Sequence, residues 1–221
     1  MLAPVPPKRK DGGSSFATLD RYIKEEVNLE TGEVLSRGEV MTSDAILSPE
    51  TAAAEMKAVA TQNTRCKDPV MHVVLSWDKS DHPAPEQWKQ SVNYVMKSLG
   101  MKDHQYTAVA HDDTENYHVH VMANKIHPET YRSHTPAWMH KTLDKALREL
   151  EHKHQWTPAN GLYRCDEKLG KAVRQHEKNA RRYSQQVKNW QPARPRRWKS
   201  IADSPALKPT ASKNRQKHLM H

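Results

Sequence analysis

From position 117 to 126 the chain reads Tyr117-His118-Val119-His120-Val121-Met122-Ala123-Asn124-Lys125-Ile126, a pattern that few local structures accommodate. On an extended strand successive side chains point to opposite faces, so His118, His120, Met122 and Asn124 share one face while Val119, Val121 and Ala123 share the other. One face then belongs to a core and the other to chemistry. A second strand-like run, His104–Ala110, ends just before the polar segment His111-Asp112-Asp113-Thr114-Glu115-Asn116, and the two runs read as a β-hairpin. A hairpin returns His111 to the side of His118 and His120.

The rest of the chain supplies partners for this hairpin. Val70–Trp77 (VMHVVLSW) is a short β-branched run bounded by Lys67-Asp68-Pro69 and by a polar, proline-containing stretch, which predicts a buried strand. Ser14-Ser15 can cap a helix carrying Phe16, Leu19, Tyr22 and Ile23, and Ser48-Pro49-Glu50 opens another that runs to about Asn63. Asn28 to Gly38 reads as a loop between them. Trp88, Val92, Val95, Met96 and Leu99 mark a helix over 85–99 that stops at Gly100, and a further helix is expected from about Pro136 to Lys153. Trp156–Arg164 reads as a loop or short strand. The order helix, helix, strand, helix, strand, strand, helix predicts an α+β fold with a central antiparallel sheet and helices on one face.

Charge separates the chain into two parts. Residues 1–164 hold 20 Lys+Arg against 22 Asp+Glu, a net of −2, whereas residues 165–221 hold 15 against 4, a net of +11. This predicts one domain over 1–164, followed by a basic extension over 165–221 that is helical from about Asp166 to Lys188 and flexible beyond Gln191. Arg181 and Arg182 on the helical part, and Arg194, Arg196 and Arg197 interleaved with Trp190 and Trp198, suit phosphate neutralisation and base stacking. The partner is expected to be a nucleic acid.

Cys66 and Cys165 are far apart and lack CxxC spacing, so neither a disulfide scaffold nor a four-thiolate zinc site is supported. The opening MLAPVPPKRKDGG contains no apolar signal region, and no run of about 18 apolar residues is present. A reduced, cytoplasmic protein with no membrane insertion is the expectation.

His111, His118 and His120 are the candidate metal ligands. Three imidazoles suit Zn, Mn, Ni, Co or Cu and leave coordination positions open for substrate oxygens, the arrangement that a catalytic centre needs. His72 is expected to be a packed or edge-strand residue, and His127 lies where its strand is ending.

The pair His118-Val119-His120 is the histidine–hydrophobic–histidine element of the HUH endonucleases. The longer string HDDTENYHVHVMANKIHP resembles the third motif of the relaxase/mobilisation nuclease family in its MobP-like branch. PKRKDGGSSFATLDRYI resembles that family's first motif, where the nucleophilic tyrosine lies, and HVVLSWDKSDHPAPEQW its second, a Ser-Trp followed by an acidic residue. The three motifs follow the family's order over roughly residues 8–127. Rolling-circle replication initiators usually carry the histidine pair before the tyrosine, so the order favours a relaxase over that alternative. A non-catalytic RRM-like nucleic-acid-binding module would leave the histidines unexplained.

The resemblance implies a palm-like, RRM-related fold and an enzyme that nicks one DNA strand at a plasmid origin of transfer. It implies Tyr22 as the nucleophile and a divalent ion, Mn or Mg functionally with Zn, Ni or Co possible. It also implies a 5′-phosphotyrosyl intermediate that starts conjugative transfer or mobilisation. A free phenol has a pKa near 10, so the tyrosine needs a cation or a base to ionise it at neutral pH. Asp81 matches the second motif's carboxylate and is the expected helper, with Asp112 as the competing choice. Ser76, Arg21 and Lys24 are expected to contact DNA. Single-stranded and duplex DNA at the origin, an accessory relaxosome protein and a type IV secretion coupling protein are the implied partners. Passage to a recipient cell bound to DNA is implied as well, and relatives commonly continue into further domains.

Overall fold

A computed structural model describes residues 1–6, 15–27, 34–36 and 38–175. In chain order the elements are α1 (Phe16–Lys24), β1 (Glu25–Val27), β2 (Val34–Ser36), β3 (Val40–Thr42), α2 (Ala52–Thr61), β4 (Val70–Ser76), α3 (Pro85–Ser98), β5 (Tyr106–His111), β6 (His118–Asn124), α4 (Met139–His154), β7 (Tyr163–Asp166) and β8 (Lys171–Arg174). Four strands form the central sheet in the order β3-β5-β6-β4, and every neighbouring pair is antiparallel. Leu2 bridges Ser76 on the outer side of β4, with a hydrogen bond in each direction at 2.8 and 2.9 Å.

The sheet parts two cores according to side-chain parity. Val119, Val121 and Ala123 of β6, Met71, Val73 and Leu75 of β4, and Ala108 and Ala110 of β5 meet α3 and α4 in the larger core. Proline at the first turn and the Gln87 side chain, which accepts from the Ala84 N–H at 2.9 Å, start α3 cleanly. Its Trp88, Val92, Val95 and Met96 are buried together with Leu143, Leu147 and Leu150 of α4. Complete burial of an aliphatic or aromatic side chain of this size contributes about 1.5–3 kcal/mol, so this layer carries most of the fold's hydrophobic stabilisation.

The opposite face is only partly given to packing. Phe16 and Ile23 of α1, Ala52 and Met56 of α2, Val70, Val109 and Met122 form a smaller core over it. Asn124 joins this layer to the sheet, because its amide donates to the Met56 carbonyl at 3.0 Å while its oxygen accepts from the Ile126 N–H at 3.0 Å. Gly38 lets the chain entering β3 run against β5. A Cβ there would lie 1.8 Å from the Ala110 carbonyl oxygen.

The α+β chain built on a central antiparallel sheet is as the sequence implied, with α3 and α4 as the expected helical layer. Helices α1 and α2 add a partial layer on the histidine face, because the Phe16/Ile23 and Ala52/Met56 faces need apolar partners of their own. Two other expectations are corrected. The stretch from Asn28 to Gly38, expected as a loop, contains strand β2, which pairs with β1, Glu25 opposite Ser36. The segment from Asp166 is not helical over its described part: β7 and β8 form a hairpin that crosses the expected boundary at 164/165 and packs on α4. Asp166 decides this locally, since its carboxylate caps the turn by accepting from the Lys168 and Leu169 N–H groups at 3.0 and 3.1 Å, and Gly170 takes a positive φ of 59°. Arg181, Arg182, Arg194, Arg196 and Arg197 lie outside the described residues. No described helix is long and apolar enough to cross a membrane.

Candidate metal centre and active site

The β5–β6 register sets His111 directly opposite His118, and parity sets His120 on the same face. The three rings lie 4.8 to 5.2 Å apart between centroids, all are buried, and one nitrogen of each falls within 4.8 Å of the others. Among the described residues this is the sole group with ligand atoms converging for a metal ion.

Hydrogen bonds orient each ring. His111 Nε2 donates to the Ile23 carbonyl at 2.7 Å, which ties β5 to the end of α1. His118 Nδ1 donates to the Asn116 carbonyl at 3.0 Å. That carbonyl is itself fixed, because it also accepts from the Thr114 hydroxyl at 2.8 Å and the Asn116 amide donates to the Trp77 carbonyl at 2.7 Å. His120 Nδ1 meets His72 Nε2 at 2.9 Å. The nitrogens that these bonds do not engage are Nδ1 of His111 and Nε2 of His118 and His120, and in neutral rings they carry the lone pairs a cation needs.

Tyr22 stands at the edge of this group. It lies on α1 next to Ile23, whose carbonyl holds His111, and its ring meets His120 edge-on at 5.6 Å and His72 at 6.2 Å. Asp113 is the carboxylate at the centre, with Oδ1 3.9 Å from His118 Nε2. Sequence reasoning took His72 for a packed or edge-strand residue and did not single out Asp113. The period-2 pattern of β4 contained the signal for His72, since it shares parity with Ser76 on a strand beside β6. Asp113 could have been found from its place two residues after His111 in the turn.

Asp81 is not brought to the histidines. Its carboxylate accepts from the Thr157 N–H and hydroxyl at 2.9 and 3.1 Å, pinning the loop that follows α4, beside which Trp156 packs on Trp77 in the larger core. The expected helper of the tyrosine thus has both carboxylate oxygens engaged by Thr157. Asp112 is exposed in the turn. Ser76 is buried at the end of β4 opposite His118, which puts it beside the centre rather than on an open surface. Lys24 is engaged by Asp20 at 2.6 Å and by the Pro49 carbonyl, and Arg21 projects outward near Glu25 at 3.8 Å.

This arrangement places a tyrosine beside three buried imidazoles with converging nitrogens on a helix–sheet seam. Desolvation holds the His72 ring well below the ordinary histidine range, at about 4, so it is neutral at physiological pH. The sequence matches the family described as "Relaxase: MobA/VirD2-like, nuclease domain" over residues 22–156. The chain belongs to that relaxase family. It is 35% identical over 146 residues to protein MobA of Acidithiobacillus ferrooxidans, covering 64% of this chain and 34% of that protein. It is 30% identical over 154 residues to a protein TraI of Escherichia coli, covering 68% of this chain and 20% of that protein. The relaxase chain thus spans about a third or less of these relatives' length. A solved structure described as "Molecular Basis of Vancomycin Resistance Transfer in Staphylococcus aureus" aligns with a TM-score of 0.46 at 10% identity, covering 71% of this chain and 94% of that one.

Proposed function

We propose that this relaxase domain nicks one strand of DNA at a plasmid origin of transfer and stays attached to the cut end through Tyr22. The observation that carries the reading is the Tyr22 ring standing edge-on to His120, beside three imidazoles whose nitrogens converge. The Tyr22 phenolate oxygen attacks the scissile phosphorus, a P–O bond to tyrosine forms, and the P–O3′ bond breaks. The phenol proton is lost and the 3′ oxygen regains one as it leaves. The phosphodiester energy is retained as a 5′-phosphotyrosine, so the reverse attack by a 3′ hydroxyl rejoins the strand without ATP.

His111, His118 and His120 would hold a divalent cation, which when bound would supply Lewis-acid polarisation of a phosphate oxygen and ease ionisation of the phenol. Three buried imidazoles with converging nitrogens suit such an ion. Asp113, whose Oδ1 lies 3.9 Å from His118 Nε2, offers a carboxylate to receive the tyrosine proton. Arg21, exposed on α1, and the basic residues beyond 175 hold phosphates; Ser76 lines the approach under β4. Initiation of conjugative transfer, with an accessory relaxosome protein and a coupling protein as partners, is part of the same proposal.

Incubation with a single-stranded origin oligonucleotide and Mn²⁺, followed by denaturing electrophoresis, tests this. The wild-type chain is expected to shift in mass by the attached strand, and Tyr22→Phe to give no adduct while still binding the oligonucleotide. An adduct of undiminished yield in Tyr22→Phe would move the nucleophile elsewhere, and two free products would indicate hydrolysis.

A further inference from the structure

His72 lies on β4 one register step from His120: Val74 is the residue opposite His120, His72 pairs with Met122, and the two histidines are diagonal neighbours on one face. Their rings are stacked, 5.1 Å apart and 26° from parallel, with His72 Nε2 2.9 Å from His120 Nδ1. We infer that His72 is a positioning residue, a neutral imidazole acceptor that holds the Nδ1–H of His120 and so turns Nε2 of His120 toward the cation. The inference rests on reading His111, His118 and His120 as the cation site.

The proton arithmetic gives the bond its direction. A neutral imidazole carries one N–H, so if Nε2 of His120 gives its lone pair to a cation, the proton must sit on Nδ1. That Nδ1–H donates, His72 Nε2 accepts, and the single proton of neutral His72 is then on its own Nδ1. Cation binding thus fixes the tautomers of two rings at once.

The other two ligands show why this acceptor is distinctive. His111 and His118 donate to the Ile23 and Asn116 carbonyls, which the backbone holds in place. His120 Nδ1 instead meets a second imidazole, that of His72. Metal-bound histidines often donate to a carboxylate, which strengthens the ligand but adds a negative charge beside the ion. An imidazole gives the same orientation without that charge, and so preserves the full positive field for an anionic phosphodiester. His72 also forms, with His120, the pair of rings against which the Tyr22 edge rests, so the residue that aims the ligand also borders the nucleophile.

Calorimetric titration of the full chain with Mn²⁺ alone, together with an oligonucleotide binding isotherm, tests the assignment. His72→Leu is expected to weaken Mn²⁺ binding by roughly 10- to 100-fold, and His72→Gln, whose amide oxygen can accept in place of Nε2, to restore it to within about 3-fold. His72→Glu is expected to tighten Mn²⁺ binding and to weaken binding of the oligonucleotide to the loaded protein. In wild-type protein loaded with Zn²⁺, histidine ¹⁵N spectra are expected to show His72 protonated on Nδ1 and His120 on Nδ1, a readout that survives even if a variant fails to fold. Wild-type affinity in a folded His72→Leu, or His72 protonated on Nε2 in the loaded protein, overturns the proposal. His120→Ala is the control that separates the two readings: unchanged Mn²⁺ affinity there removes the cation site itself and, with it, the inference.

Discussion

The β5–β6 hairpin carries a histidine group at each end, and the two differ in what their nitrogens face. At one end His111, His118 and His120 lie 4.8 to 5.2 Å apart; at the other His104 lies 5.2 Å from His127 and 5.8 Å from His134. Ring proximity is similar. Direction is not, because the backbone directs the second group's nitrogens apart: His104 Nδ1 donates to the Asn124 carbonyl and His134 Nε2 to the Leu99 carbonyl, both at 2.9 Å, while His127 Nδ1 accepts from the Glu129 and Thr130 N–H groups at 3.2 and 3.4 Å. A count of histidines therefore says little about metal binding in a chain that has 14 of them. A hairpin that places two of them opposite each other with the third two residues along says a great deal.

The largest expected effect tests this contrast directly. His120→Ala is expected to weaken Mn²⁺ binding by roughly 100-fold or more, since it removes a ligand and opens the site to water, and His104→Ala to leave it within about 2-fold. Calorimetric titration of both variants against wild type checks the pair. Equal losses would mean that the far group also binds the ion, and no loss in either would remove the ion from both.

The far group has a different signature, in stability. Burial lowers the His104 pKa below the ordinary histidine value; the fields of His127 and His134 act in the same direction, and the Asn124 carbonyl and Asp103 oppose them. A histidine with a depressed folded-state pKa is neutral when folded but protonates once unfolded, so the unfolded state binds more protons below the unfolded value of about 6.5. Stability tied to His104 is therefore present above that pH and is lost as the pH falls from about 6.5 through the folded value. Urea midpoints at pH 7 and pH 5 are expected to differ more in wild type than in His104→Gln, which cannot titrate. Equal differences in the two proteins would show that His104 stays outside the linkage.

What could be read from the sequence followed the same division between pattern and direction. The hairpin, the four main helices and the convergence of His111, His118 and His120 were legible because period 2 and period 3.6 are set by backbone geometry alone. Strands β1, β2 and β3 were missed because three residues are too few to display a period, and β3 pairs with a strand remote in sequence. The β7–β8 hairpin was hidden by helix-compatible residues such as Lys168, Leu169 and Ala172, over which the turn at Asp166–Gly170 prevails. His72 was read as packing because its role depends on a diagonal contact across two strands, which the sequence of one strand does not contain.

Asp81 shows the same limit for a carboxylate, and it gives the smallest expected effect. A position in a motif suggested that it serves the tyrosine, yet its two oxygens are held by the Thr157 N–H and hydroxyl on the α3/α4 side of the sheet. Asp113, inside the histidine turn, has an oxygen 3.9 Å from His118 Nε2 instead. Asp81→Ala is expected to cost about 0.5–1.5 kcal/mol of stability, the usual net value for hydrogen bonds of this kind at a partly exposed site. It is expected to leave Mn²⁺ affinity and the yield of covalent adduct at saturating oligonucleotide unchanged, because the loop it pins lies beyond Trp156 rather than beside Tyr22. Asp113→Ala is expected to reverse that pattern, with the rate of adduct formation falling and the unfolding midpoint nearly constant. If Asp81→Ala lowers adduct yield while the protein remains folded and binds Mn²⁺ normally, the loop after α4 must close over the tyrosine when DNA arrives, and the carboxylate that serves Tyr22 would be the one the motif indicated.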